Sequence, residues 1–171
     1  MPKAPPPLPE ETLRRVLRVA RFDGISVTAV AGLFALVSAS GHDVTGAMIG
    51  VMIAGAGAME LHGVAQLNAG APGGMRWLIG SQFCVLTMIL GYAAWRIGHP
   101  DPLLQAAFRA NLKDEHRLAL QQIGMTEAEF IRLGSRMVYF CLAFLTLIYQ
   151  SGMMAYYARR RGAVENALSG R

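Results

Sequence analysis

An acidic and an imidazole side chain occur inside one of the most apolar parts of the sequence. Glu60 and His62 lie two residues apart in the stretch 44–77, in which Arg76 is the only other basic or acidic residue. An ionisable side chain within a membrane-spanning helix is costly, so such a residue is a functional candidate by default. Glu60 is therefore predicted to act in ion or proton transfer. The alternative is a structural ion pair with Arg76 or Arg21.

The spacing of these two residues argues against a shared metal ion. Side chains two positions apart on a helix point in well-separated directions, and the other three histidines lie outside the apolar stretches. We therefore expect no metal and no cofactor. The sequence contains no phosphate-binding loop, CxxC motif, HExxH motif or recognisable catalytic triad order, so it predicts that the protein is not an enzyme.

Two amides are predicted to lie at the depth of Glu60. Counted from the basic residues that flank their apolar runs, Gln82 and Gln150 lie roughly two to two and a half helical turns in. With Glu60 and His62 they would form a polar cluster contributed by three helices. Such a cluster could line a path for a cation or a proton. Alternatively, the amides only join neighbouring helices by hydrogen bonds.

Long apolar runs carry these residues. Hydrophobic residues make up 53% of the 171-residue chain and charged residues only 16%, a balance too apolar for an ordinary soluble domain. A helix crosses the hydrocarbon of a bilayer in roughly 20 residues. The sequence predicts an all-α integral membrane four-helix bundle that forms a single domain, with spans at about 24–41, 44–67, 76–97 and 136–158.

The segment before the first span has the pattern of an amphipathic helix. Its apolar residues fall on one helical face, and four arginines lie largely away from that face. This pattern is typical of a helix that lies in the membrane interface and contacts lipid headgroups through basic side chains, here Arg14, Arg15, Arg18 and Arg21. The alternative is a helix docked on another part of the protein.

Charge placement predicts the orientation of the chain. Basic clusters precede the first span and follow the last one, as in Arg159–Arg161, so both termini are expected in the cytoplasm. The arginine-rich, alanine-rich and glycine-rich composition favours a bacterial inner membrane. The N-terminal region has the outline of a signal peptide, but its apolar run is longer than usual, so we expect it to remain as a span. No nucleic-acid module accompanies the basic residues, and nucleic acid is not an expected partner.

Small residues form a stripe on the second predicted span. Gly46 and Gly50 are spaced as a GxxxG pair, and Ala54 and Gly57 extend the same face. Such a stripe lets two helix backbones approach closely in lipid. The pattern does not distinguish a contact within one chain from one between subunits. Because four spans enclose little interior, a homo-oligomer or a larger membrane complex is expected.

A polar segment, 98–135, separates the third and fourth spans and is predicted to be a helical excursion outside the membrane. Asp101 followed by Pro102 has the pattern of a helix start. Thr126 and Glu129 match a capping box, so a helix is expected from Glu127 through the last span to Arg161.

Two function classes follow from these features. The first is an oligomeric cation or proton channel or transporter subunit that uses the polar cluster. The second is a non-catalytic accessory or scaffold subunit of a larger membrane complex.

Overall fold

The computed structural model describes residues 8–99 and 101–170. These residues form six α-helices and no strand, which confirms the all-α prediction. The helices are α1 Pro9–Ser40, α2 Val44–Asn68, α3 Gly74–Gly98, α4 Pro102–Asn111, α5 Asp114–Gln122 and α6 Glu127–Ser169.

Four of the helices, α1, α2, α3 and α6, are long and apolar enough to cross a membrane, with mean hydropathies of 1.5 to 1.7 over their most apolar segments. They run alternately up and down, and α1, α2, α3 and α6 contact one another in that order around a ring that α6 closes against α1. We call the end where α1 begins and α6 ends the termini end. The opposite end, which carries the α1–α2 turn and α4 and α5, is the excursion end.

Local sequence signals set the helix boundaries. Pro9 lies in the first turn of α1, with Glu10 and Glu11 after it, where acidic groups interact well with the helix dipole. The Asp101 side chain accepts a hydrogen bond from the Leu104 backbone N–H at 3.0 Å and caps α4. The predicted capping box of α6 is present in full. At about 1.5 Å per residue the 43 residues of α6 extend about 65 Å, beyond the ~30 Å hydrocarbon thickness.

The predicted N-terminal amphipathic segment is part of α1, which continues through it without a break. No proline or glycine interrupts the chain between Pro9 and Gly24, so nothing separates this segment from the span that follows. Its apolar residues Leu13, Val16 and Ala20 are buried in a core at the termini end, packed with residues of the other three long helices. The arginines of the segment, Arg14, Arg15, Arg18 and Arg21, are exposed. Their contact with lipid headgroups stays a prediction.

The glycine stripe of α2 packs against α1 of the same chain. A Cβ at Gly50 would lie 2.8 Å from the Cβ and backbone N of Ala35, and one at Gly57 would lie 2.9 Å from the backbone N of Thr28. Gly46 faces the end of α1 at Ser38, and the Ala54 carbonyl accepts a hydrogen bond from Thr28 Oγ1 at 3.5 Å. These residues therefore form a contact between two helices of one chain. The sequence pattern alone did not distinguish such a contact from one between subunits.

Large apolar side chains cover the outward faces of the long helices. Several are more than half exposed, among them Leu36, Val51, Phe140, Leu145 and Ile148. A soluble monomer rarely exposes so continuous an apolar surface. Hydrocarbon is the environment that suits these faces, as expected for a multi-pass membrane protein.

Candidate functional site

Two acidic side chains are buried together where α1 and α2 pack closely. Asp23 is 5% exposed and Glu60 is 1% exposed. Gly24, next to Asp23, allows the approach, because a Cβ there would lie 3.0 Å from Leu61 Cδ2 and 3.2 Å from the Gly57 carbonyl oxygen. Asp23 lies close enough to Glu60 for the two carboxyls to act on each other electrostatically. We call this pair the carboxyl site.

Donors from the other two long helices complete the carboxyl site. The Gln82 amide of α3 donates to Asp23 Oδ2 at 2.8 Å, and the Tyr149 hydroxyl of α6 donates to Asp23 Oδ1 at 2.8 Å. The Tyr157 hydroxyl, also of α6, donates to Glu60 Oε1 at 2.7 Å. Each of the four long helices thus contributes at least one side chain, and the site lies inside the bundle.

Among the residues that the structure describes, no basic side chain forms an ion pair with either carboxyl. Within residues 8–99 and 101–170, the ion pairs are Arg96–Asp43, Arg117–Glu127 and Arg161–Glu165. The ion pair of Glu60 with Arg76 or Arg21, considered above, is absent from this part of the chain. The partners of Glu60 are instead a phenol and a second acid.

The structure separates the four predicted members of the polar cluster. Glu60 and Gln82 are in the carboxyl site, as described. His62 is exposed on the opposite side of α2, where its ring nitrogen shares a hydrogen bond with Gln66 at 2.9 Å and its ring lies edge-on to Trp77. Across the described residues, no three His, Cys, Asp or Glu side chains converge as metal ligands.

Gln150 lies in a different place from Glu60. It is buried and lines a cavity of about 650 Å³ on the excursion side of the carboxyl site, and its Oε1 has no hydrogen-bond partner. We call this space the lateral cavity. The sequence grouped Gln150 with Glu60, whereas in the structure its neighbour Tyr149 contacts Asp23 and Gln150 lines the cavity.

Sequence reasoning missed Asp23, Tyr149 and Tyr157. A signal for Asp23 was present, because it continues the buried spacing of Val16 and Ala20 by a further three residues and so falls on the inward face of α1. Nothing comparable marked the two tyrosines, since phenol groups are ordinary near the ends of membrane spans.

A second polar network ties the excursion end together. Arg96 pairs with Asp43 of the α1–α2 turn and donates from Nε to the Tyr92 hydroxyl at 3.0 Å. The Tyr139 hydroxyl of α6 donates to Asp101, the residue that caps α4. Unlike the carboxyl site, this network includes a cation, Arg96, paired with one of its acids, so it has the composition of a structural brace.

The chemistry of the carboxyl site follows from its charge balance. Two acids held together away from water and without a base are strongly unfavourable unless a counter-charge is taken up. A proton or a small monovalent cation supplies that charge, and the surrounding phenols and amide hold the carboxyl oxygens in fixed positions. The arrangement is therefore suited to the uptake of one positive charge.

Comparison with protein-family models, curated proteins and solved structures gives no match for this chain.

Proposed function

We propose that this protein is a multi-pass membrane transport protein in which Asp23 and Glu60 together bind a proton or a small monovalent cation. The observation that carries the proposal is the pair of buried, interacting carboxyls with no basic partner among the described residues. Intramembrane acids of this kind are characteristic of ion and proton pathways.

A purely structural role accounts less well for these residues. Both acids accept hydrogen bonds from amides or phenols of other helices, but the second buried acid also adds charge repulsion, which a neutral amide at the same position would avoid. The buried acid Asp43 at the excursion end, by contrast, is paired with the cation of Arg96.

The lateral cavity bears on the mechanism of transport. It lies on the excursion side of the carboxyl site and is lined mainly by apolar side chains such as Val27, Ile53 and Val85. We infer that the positive charge is bound and released in a cycle of conformations, since an apolar cavity of this kind does not form a water-filled pore.

The wider setting is part of the same proposal. We place the chain in a bacterial inner membrane, with both termini in the cytoplasm and α4 and α5 outside, acting without enzymatic activity as a homo-oligomer or a subunit of a larger complex. The basic residues beyond the spans, including Arg159–Arg161, support this orientation. Because the glycine stripe is used within the chain, an oligomer would have to form through other surfaces.

Flux measurements in proteoliposomes test the proposal. A potassium gradient with valinomycin sets the membrane potential, and an internal pH-sensitive dye reports proton entry. Asp23→Asn and Glu60→Gln keep the size of each side chain and remove its charge, so each should lower flux roughly tenfold or more, the equivalent of about 1.4 kcal/mol. Uptake of radiolabelled sodium, measured in parallel, distinguishes sodium entry from proton entry.

The matched control is Glu165→Gln, which removes an exposed acid from the Arg161–Glu165 pair on α6 and should leave flux unchanged. Circular dichroism and size-exclusion chromatography establish that each variant folds. If the folded wild-type protein carries neither protons nor sodium, or if both carboxyl variants carry them as well as wild type does, the transport proposal is wrong and the accessory-subunit hypothesis takes its place.

A further inference from the structure

A second cavity, of about 410 Å³, lies at the excursion end, where the end of α3, the helix α4 and the start of α6 meet. It shares no lining residue with the carboxyl site. Its lining is rich in basic side chains and includes four arginines, Arg96, Arg109, Arg132 and Arg136. We call this space the arginine cavity.

The packing of α4 on α6 brings arginines of two helices to this cavity. A Cβ at Gly134 would lie 3.0 Å from Phe108 Cζ, so the absence of a side chain at Gly134 lets the ring of Phe108 pack closely on α6. Arg109 follows Phe108 and lines the cavity from α4. Arg132 and Arg136 are four residues apart, so they lie on one face of α6. All three arginines are exposed at the rim.

The acid in the lining does not neutralise these three arginines. Among the described residues that line the cavity, Asp101 is the one acid, and it accepts hydrogen bonds from the Tyr139 hydroxyl and the Leu104 backbone N–H. The buried Arg96 pairs with Asp43. Arg109, Arg132 and Arg136 take part in none of the ion pairs within residues 8–99 and 101–170.

Two acids at the start of α6 have other partners. Glu127 pairs with Arg117 at 3.8 Å, and Glu129 Oε2 accepts hydrogen bonds from the backbone N–H and the hydroxyl of Thr126. Arg132 acts electrostatically on Glu129 but forms no ion pair with it. Like charges four residues apart on a helix repel each other, and a cleft lined by one sign of charge concentrates ions of the opposite sign. The rim of the arginine cavity therefore favours an anion.

We propose that the arginine cavity binds a phosphate group, held by Arg109 of α4 and by Arg132 and Arg136 of α6. The planar guanidinium group matches the geometry of phosphate and can bind two of its oxygens at once. Inorganic phosphate or a small phosphate ester would bring this group from water, and a phospholipid headgroup would bring it from the membrane surface. The inference concerns a site apart from Asp23 and Glu60 and does not rest on the proposed ion transport.

Two phosphate-bearing probes test the proposal on the intact protein. Purified protein in maltoside micelles, which contain no phosphate, is equilibrated by dialysis with radiolabelled inorganic phosphate while sodium chloride keeps the ionic strength constant. In parallel, native mass spectrometry compares the retention of phosphatidylglycerol with that of a diacylglycerol with the same acyl chains and no phosphate. We expect saturable binding of one phosphate per chain, or retention of phosphatidylglycerol in excess over diacylglycerol.

Single substitutions locate the binding. Arg132→Gln and Arg136→Gln each remove one charged donor from the rim, so each should weaken binding roughly tenfold or more, as expected for the loss of a hydrogen bond between charged groups. The matched control is Arg117→Gln, which removes an exposed arginine of α5 outside the cavity lining and should leave binding unchanged. Circular dichroism establishes that each variant folds.

The two probes distinguish the sources of the phosphate group. A loss confined to inorganic phosphate identifies a water-soluble ligand, a loss confined to phosphatidylglycerol identifies a headgroup, and a loss with both shows that the cavity accepts phosphate from either source. The proposal is wrong if wild-type protein binds neither probe in this way, or if folded Arg132→Gln and Arg136→Gln bind as tightly as Arg117→Gln. The measurements on wild-type protein need no substitution, so they decide even if a variant fails to assemble.

Discussion

The Tyr157 hydroxyl donates to Glu60 Oε1 across 2.7 Å and joins α6 to α2, although the two residues are 97 positions apart. The ring of Tyr157 is fully buried and packs in the apolar core at the termini end, with Leu13 and Val164. One residue thus connects the apolar core at the termini end to the carboxyl site. A change in the charge of Glu60 would therefore alter the strength of a hydrogen bond between α2 and α6.

Removing the Tyr157 hydroxyl should destabilise the bundle. In Tyr157→Phe, Glu60 Oε1 keeps its burial but loses its donor, and a buried acceptor left unpaired costs about 1 to 2 kcal/mol. Reversible unfolding of the purified protein in mixed micelles, with increasing fractions of sodium dodecyl sulfate, measures the change in the free energy of unfolding.

The neighbouring residue provides the matched control. Tyr156 has a buried hydroxyl with no hydrogen-bond partner, and its ring lies under the Arg160 guanidinium at 3.8 Å. Tyr156→Phe keeps the ring and removes an unsatisfied group, so the free energy of unfolding should stay the same or rise slightly. Equal losses in the two variants would mean that the Glu60 hydrogen bond contributes nothing specific.

The helices were predictable from the sequence because length and apolar composition determine them. The second span was expected over 44–67 and the helix covers Val44–Asn68; the third was expected over 76–97 and the helix covers Gly74–Gly98. The capping box placed the start of α6 at Glu127 correctly. Its end lies eight residues beyond the expected Arg161, because Val164 and Ala167 pack in the core and the helix continues through Gly162.

The carboxyl site was only half predictable. Depth along a helix follows from counting residues, and it placed Glu60 and Gln82 at one level. The direction of a side chain depends on how each helix is rotated in the bundle, which requires the packing of all four helices. Gln150 and Tyr149 differ in sequence position by one residue, yet one lines the lateral cavity and the other holds Asp23. Asp23 itself was taken as the boundary of a span, whereas α1 continues past it on both sides.

The orientation of the chain can be tested with single cysteines. In a background in which the free Cys84 and Cys141 are replaced by alanine, Gln121→Cys lies exposed on α5 and Ser169→Cys lies exposed at the end of α6. A membrane-impermeant maleimide should label Gln121→Cys in intact spheroplasts and should label Ser169→Cys only after lysis, because the basic ends are expected in the cytoplasm. Labelling of both positions from the same side would contradict an arrangement with four crossings.

The close contact of α1 with α2 gives the sharpest stability prediction, because two glycines of α2 differ only in what they face. A Cβ at Gly50 would lie 2.8 Å from Ala35 Cβ and 2.9 Å from the Ala31 carbonyl oxygen, whereas one at Gly55 would meet nothing within 4 Å. Gly50→Ala must therefore push the two backbones apart, and the overpacking should lower the free energy of unfolding by about 1 to 3 kcal/mol.

Gly55→Ala is the matched control: it adds the same methyl group to α2 at a position where a Cβ meets no atom within 4 Å. It should be neutral or should raise stability by up to about 1 kcal/mol, because alanine favours the helix over glycine. The same mixed-micelle unfolding assay compares both variants with wild type. If Gly50→Ala were as stable as Gly55→Ala, α1 and α2 would not approach each other as closely as the structure shows, and the position of Asp23 beside Glu60, which depends on that approach at Gly24 and Gly57, would be in doubt as well.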